Sequence, residues 1–157
     1  MDSLNKTNKT YKIFLLLILA ICACLQSCGD SIKDSLEKQL KDADMVKIYF
    51  YENNTNKPGR DKIATIQDKI VIGVIRSSIL DESTEVPKCG YTGSIEFFKK
   101  SISINNMEFS TEPGCERVVF RLQENMYSKK LSPEGIKLLN DIYSRVDMQN
   151  KADLILK

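Results

Sequence analysis

The feature that most constrains this chain is an apolar run near its start. Ile13 to Leu25 (IFLLLILAICACL) carries no charge over thirteen residues. As a helix it would rise about 20 Å, short of the roughly 30 Å hydrocarbon core and of the ~20 residues that a spanning helix needs. The residues before it hold Lys6, Lys9 and Lys12 against one acid, Asp2. A basic flank ahead of a short apolar run is the pattern of a secretory signal peptide. The folded part of the chain is therefore expected to lie after it.

The exit from the run is more specific. Leu25-Gln26-Ser27-Cys28 resembles the lipobox of bacterial type II signal peptides, with Leu at −3, a small residue at −1 and Cys at the cleavage point. Gln26 departs from the usual Ala or Ser at −2. Ile21-Cys22-Ala23-Cys24 offers a second box, but Gly29, Asp30 and Ser31 follow Cys28 directly, so cleavage there leaves no apolar stub. The resemblance covers only the first 28 residues. It implies that residues 1–27 are a signal peptide and that Cys28 carries a diacylglycerol, its freed amine often acylated too. The implied location is the cell envelope, with the lipid in the inner or the outer membrane. Each buried methylene contributes about 0.8 kcal/mol, and two or three acyl chains exceed the one-chain threshold for stable attachment. The domain itself need not touch the membrane.

Residues 28–157 are then a single domain of a size that buries about two-thirds of its unfolded surface. The chain has 23 basic and 21 acidic residues, and removing the first 28 leaves 20 of each. A neutral domain argues against a nucleic-acid partner, which calls for a cationic excess. There is no histidine. That removes Ser-His-Asp and Cys-His catalysis and every His-containing metal site. No catalytic residue, metal ligand or cofactor is expected. Asp81, Glu82 and Glu85 lack the alternating oxygens and glycine of a calcium loop and read as solvated. Ser128, Lys129 and Lys130 look like a Ser-Lys dyad on paper, but the lysines read better as protection of an exposed strand.

Of five cysteines, Cys22 and Cys24 leave with the signal and Cys28 is lipidated. Cys89 and Cys115 remain, and in an exported domain they are expected to form one disulfide.

The pattern of the domain predicts an α+β fold, an antiparallel sheet of four to six strands flanked by an N-terminal and a C-terminal helix. Ile32, Leu36, Leu40 and Ala43 make one helical stripe after Asp30 and Ser31, with Ser31 and Asp34 at capping-box spacing. Met45–Glu52 alternates, with Val46, Ile48 and Phe50 on one face and Lys47, Tyr49 and Tyr51 on the other. Asn53–Asp61 reads as a polar loop with a Pro58-Gly59 turn, and a short strand follows near Lys62–Ile66. Asp68–Leu80 fits a helix capped by Asp68, with Ile70, Val71, Val74, Ile75 and Ile79 on one face, although its β-branched residues and Gly73 also suit a strand. Ser94–Lys99 puts Ile95 and Phe97 inward. In Ser101–Ser110 the phase slips at Asn105-Asn106, which a β-bulge or a two-residue turn would repair. Thr111-Glu112-Pro113-Gly114 fits a type II turn. Glu116–Leu122 turns Val118, Phe120 and Leu122 inward, and a shorter strand follows near Met126–Leu131. Ser132-Pro133-Glu134 opens a last helix with Ile136, Leu139, Tyr143 and Val146 buried, Leu138 and Ile142 beside them, and a frayed tail after about Asp147.

Arg117 and Arg121 are expected on the sheet's outer face with Val119. Phe98 and Lys100 would join them in a basic-aromatic patch suited to an anionic glycan, a phosphate or an acidic protein. Cross-strand pairing with Glu96 or Glu108 is the plainer expectation for the same arginines. Gly90-Tyr91-Thr92-Gly93 reads as a turn feeding the sheet. The functional expectation is a membrane-anchored, non-catalytic binding or inhibitory module with an unknown protein or glycan partner. A carboxylate-dependent hydrolase or a structural component of an envelope complex are the alternatives.

Overall fold

The computed structural model of the protein describes residues 31–51, 58–84 and 89–155. The expectations for the signal segment, for Cys28 and Asp30, for loop residues 52–57 and for Glu85 lie outside these residues. Three helices, α1 (Ile32–Leu40), α2 (Lys69–Ser77) and α3 (Pro133–Ile155), accompany a seven-stranded sheet. The strands are β1 (Met45–Tyr51), β2 (Pro58–Ile66), β3 (Ile79–Ser83), β4 (Gly93–Lys99), β5 (Ile102–Ser110), β6 (Arg117–Leu122) and β7 (Asn125–Leu131). Their order across the sheet is β2-β1-β4-β5-β6-β7-β3, and every neighbouring pair is antiparallel.

The expected α+β class holds, with one strand more than the upper expectation. The extra strand is β3. Asp68 caps α2 as read from the sequence, its Oδ1 accepting from the backbone N–H of Ile70 and Val71. The helix nevertheless stops at Ser77, and Ile79, Leu80 and the acids beyond them extend along β7. Both readings of that segment were therefore partly right, because two elements share it. The buried face of α2 is Ile72 and Ile75, whereas Ile70, expected inward, is 79 % exposed. Asp81 and Glu82 are not in a loop. They lie on the edge strand, facing lysines of β7.

All three helices lie on one face of the sheet. Leu36 and Leu40 from α1, Ile72 and Ile75 from α2 and Leu139 from α3 join a single core with Val46, Ile48 and Phe50 of β1. The alternating positions Ile95 and Phe97, Met107 and Phe109, and Val118 and Phe120 complete it from the central strands. Tyr143, expected in the stripe of α3, is 37 % exposed. That helix continues to Ile155 rather than fraying after Asp147. At its start the Ser132 side chain accepts from the Gly135 N–H, as the cap predicts.

The phase slip in β5 is a bulge. Phe97 faces Asn105 and Phe98 faces Ser103, which leaves Ile104 as the extra residue. Gln39 of α1 clamps it, donating to the Ile104 carbonyl and accepting from Asn105 Nδ2. The hairpin ahead of the bulge turns through Lys100 and Ser101, both left-handed at φ 50° and 67°. Between β5 and β6, Pro113 and Gly114 (φ +79°) make the expected turn, closed by Cys115 N–H to Glu112 O.

The two sheet edges end differently. β2 runs back to Pro58, inside the stretch read as loop, and a proline is tolerated there because β2 is an edge. The other edge, β3, is short and acidic, which discourages pairing with another chain.

Gly93 is the position where the fold leaves no room for a side chain. A Cβ there would meet the backbone oxygen of Tyr49 and stand 2.5 Å from Phe109 Cζ. Gly93→Ala should cost about 3 kcal/mol, the upper end for overpacking, because the obstacle includes backbone. Denaturant unfolding of the variant measures it, and a loss below about 1 kcal/mol would show that Phe109 has space to retreat.

Candidate functional site

The face opposite the helices carries the polar and aromatic residues of the central strands. No helix of the described residues packs on it. The register sets its rows: Lys47 lies opposite Glu96, Tyr49 opposite Ser94, and Ser94 opposite Glu108. Two tyrosine–carboxylate contacts run diagonally across these rows. Tyr49 Oη donates to Glu96 Oε2 at 3.4 Å and Tyr51 Oη to Glu108 Oε2 at 2.7 Å. Lys47 Nζ sits 5.2 Å from the centroid of the Phe98 ring, a cation–π contact. Between the aromatics the floor is small and closed, with Ser94, Ser110 and Val119 all buried.

Burial pushes the Tyr51 phenol up to about 12, and the Glu108 carboxylate that it faces works in the same direction, against a lowering hydrogen bond from Ser94. The sign follows from linkage. The unfolded phenol loses its proton near pH 10 and the folded one only near 12, so Tyr51 supports the fold below pH 10 and that support drains away between the two values.

Of the patch expected from Phe98, Arg117 and Arg121, Phe98 and Arg117 do not come together. Phe98 lies opposite Ser103 and Arg117 opposite Ser110. Seven positions at about 3.4 Å each put the two near opposite ends of the face. Arg121 is exposed as expected. Arg117 does sit on the outer face by parity, but it is only 2 % exposed. The reason is the disulfide. Cys89 and Cys115 are bonded, with Cα atoms 6.3 Å apart, and the bond pins the segment from Cys89 to Thr92 across the end of β6. Arg117 Nη2 donates to the Cys89 carbonyl at 2.8 Å, and its guanidinium lies 5.4 Å from the Tyr91 ring centroid. Its Nε and Nη1 are buried with no hydrogen-bond partner among the described residues. Gly90-Tyr91-Thr92-Gly93 is thus a cover as much as a turn.

The lysines of β7 also depart from expectation. β7 is not an exposed strand, since β3 pairs along it. Lys129 is buried on the helix side and donates to Asp81 Oδ1 and Ser83 Oγ at 3.2 Å each, as well as to the Asp81 carbonyl. Ser128 points the other way and shares a 2.7 Å hydrogen bond with Thr84 Oγ1. Neighbours in a strand face opposite sides, so Ser128 and Lys129 form no dyad. The carboxylates Glu96 and Glu108, weighed as partners for the arginines, accept from tyrosines instead. Those tyrosines were visible in the alternation of Met45–Glu52, yet nothing in one strand shows which side chains of another lie beside it.

Two smaller recesses border this face. One, of about 280 Å³, lies beside the disulfide between Glu82, Glu116, Arg117 and Lys130. The other, of about 230 Å³, is lined by the rings of Phe50, Tyr51 and Tyr143 with Thr92 and Asn140. Among the described residues no group of three or more Cys, Asp or Glu converges on a point where a metal ion would sit. Comparison with protein families, curated proteins and solved structures finds no match to this chain, so its function is read from its own residues.

The two arginines should separate on mutation. Arg117→Glu buries a carboxylate against a carbonyl and should destabilise by more than about 3 kcal/mol, whereas Arg121→Glu should stay within about 0.5 kcal/mol. Thermal or chemical unfolding of the two variants reads the difference. Equal stabilities would mean that the Cys89–Thr92 cover lifts easily.

Proposed function

We propose that the protein is a lipid-anchored envelope component whose domain is a non-catalytic binding module, and that it presents the outer sheet face to a protein partner. The observation that carries this reading is the one-sided sheet: three helices share one face, and the other offers Tyr49, Tyr51 and Phe98 with Glu96, Glu108 and Lys47. Tyrosine suits such a surface, because it brings a large rigid contact area with few rotatable bonds and a hydroxyl at its tip. Glu108 is bonded to a phenol and faces Ser94 and Val119 across the strands, which favours a partner that brings a cation. The lipobox-like Leu25–Cys28 supports the anchored half of the proposal, and no helix of the described residues is long and apolar enough to cross a membrane.

Both halves are tested on the full chain expressed in its native cell. Mass spectrometry of the mature N-terminus should find diacylglyceryl on Cys28, and Cys28→Ser should leave an unprocessed precursor; a mature chain beginning elsewhere overturns the anchor. A photo-crosslinking residue at Tyr49 should yield an adduct that protease destroys and that Glu108→Lys suppresses, while the same probe at Ser144 of α3 yields none. An adduct sensitive to glycosidase alone would replace the protein partner with a glycan. Equal adducts from both faces, or substrate turnover abolished by Glu108→Gln, would overturn the binding reading of this face.

A further inference from the structure

A cleft of about 490 Å³ opens on the helix side, between the last turn of α1, the body of α2 and the β4–β5 turn. Its rim holds five basic residues, Lys41, Lys69, Arg76, Lys99 and Lys100, against two acids, Asp42 and Asp44. Both acids are already engaged. Asp42 pairs with Lys99 at 2.7 Å, and Asp44 Oδ2 accepts from the backbone N–H of Lys100 at 2.9 Å. Arg76 is engaged too, donating to the Leu40 and Lys41 carbonyls that end α1. Lys41, Lys69 and Lys100 have no ion-pair partner among the described residues. A domain with 20 basic and 20 acidic residues after Cys28 thus gathers a local positive excess at one recess.

Three residues that line this cleft stand where local preference is against them. Lys69 is the first residue of α2, a cation at the end where the macrodipole favours negative charge, with Asp68 as the N-cap supplying that charge beside it. Gly73 lies mid-helix, where glycine is the least favoured residue after proline, and nothing stands within 4 Å of where its Cβ would be. Packing therefore does not require this glycine. Lys100 occupies the first left-handed position of a two-residue hairpin turn that favours Asn or Gly. Each departure is unfavourable alone, and all three face the same space. Local conflicts with stability concentrate at functional sites.

We propose that this cleft is a binding site for a multiply charged phosphate group, either a free phosphate or pyrophosphate or the phosphomonoester of a lipid headgroup. The inference does not rest on the outer-face reading. Lys41, Lys69 and Lys100 bind the anion as point charges from three sides. The missing side chain at Gly73 leaves the floor open for it. Because the lysines are exposed, the affinity falls as salt rises.

The test titrates the full chain, held in uncharged detergent micelles at low ionic strength, with sodium pyrophosphate in a calorimeter. Saturable one-to-one binding is expected. The K41Q/K69Q/K100Q variant should bind at least about tenfold more weakly, a difference well outside calorimetric error. Gly73→Leu removes no charge and raises helix propensity, so it should block the site without unfolding the domain. The control K33Q/K130Q/K137Q loses the same charge elsewhere and should bind as the parent does. Displacement of pyrophosphate by short-chain phosphatidic acid assigns the site to a lipid headgroup; failure to displace assigns it to a free phosphate. The absence of saturable heat overturns the proposal. Undiminished binding by Gly73→Leu also overturns it, as does an equal loss in the control variant.

Discussion

The structure depends on a parity constraint. A sheet covered by helices on one side only must send its large apolar side chains to that side in every strand, and a one-residue slip in any strand reverses them all. In β5 the sequence places Ile102 and Ile104 on one parity and Met107 and Phe109 on the other. The bulge at Ile104 lets that residue pack against the core in which Met107 and Phe109 are buried, while Ile102 at the strand's end is 70 % exposed. The exposed bulge carbonyl is then bonded by Gln39, which ties α1 to the point where the sheet changes phase. Helix placement and strand register are one arrangement here. Gly93 serves the same end, since the Phe109 ring delivered by the bulge lies over it.

Among the described residues two cations, Lys129 and Arg117, are buried, and they are handled differently. Lys129 lies between β7 and β3 and is matched by a carboxylate, a carbonyl and a hydroxyl. Arg117 is covered by a segment held by a disulfide, with one carbonyl and one aromatic ring for company. The first holds an edge strand onto the sheet. The second is buried because of a covalent bond formed 26 residues apart in sequence, and burial without a full set of partners is destabilising in itself. The disulfide offsets it, contributing roughly 3.5 kcal/mol by constraining the unfolded chain.

Much of the fold was legible because it rests on period. The alternations in β1, β4 and β6, the cap at Asp68, the turn at Pro113-Gly114 and the start of α3 at Ser132 are all local signals, and each stands where it was read. The departures have separate causes. Residues 68–83 hold a short helix and a short strand with a single residue, Ser78, between them, so one apolar run served two periods. Arg117 was read correctly for parity and wrongly for exposure, because strand alternation says nothing about a loop arriving from the far side of a disulfide. The candidate surfaces were the least legible. Tyr51 meets Glu108 across 57 positions of sequence and Lys100 meets Asp44 across 56, and only the assembled sheet brings such pairs together.

The strand order carries a consequence for how the chain reaches this state. Strands β4 to β7 form a meander of successive hairpins, in which each strand pairs with the one just made. Strand β3 is made before them but docks beyond them, Ile79 pairing with Leu131. Its docking must await the last strand of the meander. The same holds on the other side, where β1 and β2 form a hairpin that finds its place only when β4 exists. Loop closure over such spans carries an entropic cost before any contact rewards it, which makes folding of this topology slow. The Cys89–Cys115 bond closes the β4–β5 segment of the meander into a ring. Oxidation early in folding would therefore shorten the search for the remaining strands, so the compartment in which the thiols meet an oxidant sets the pace of folding as well as the stability of its product.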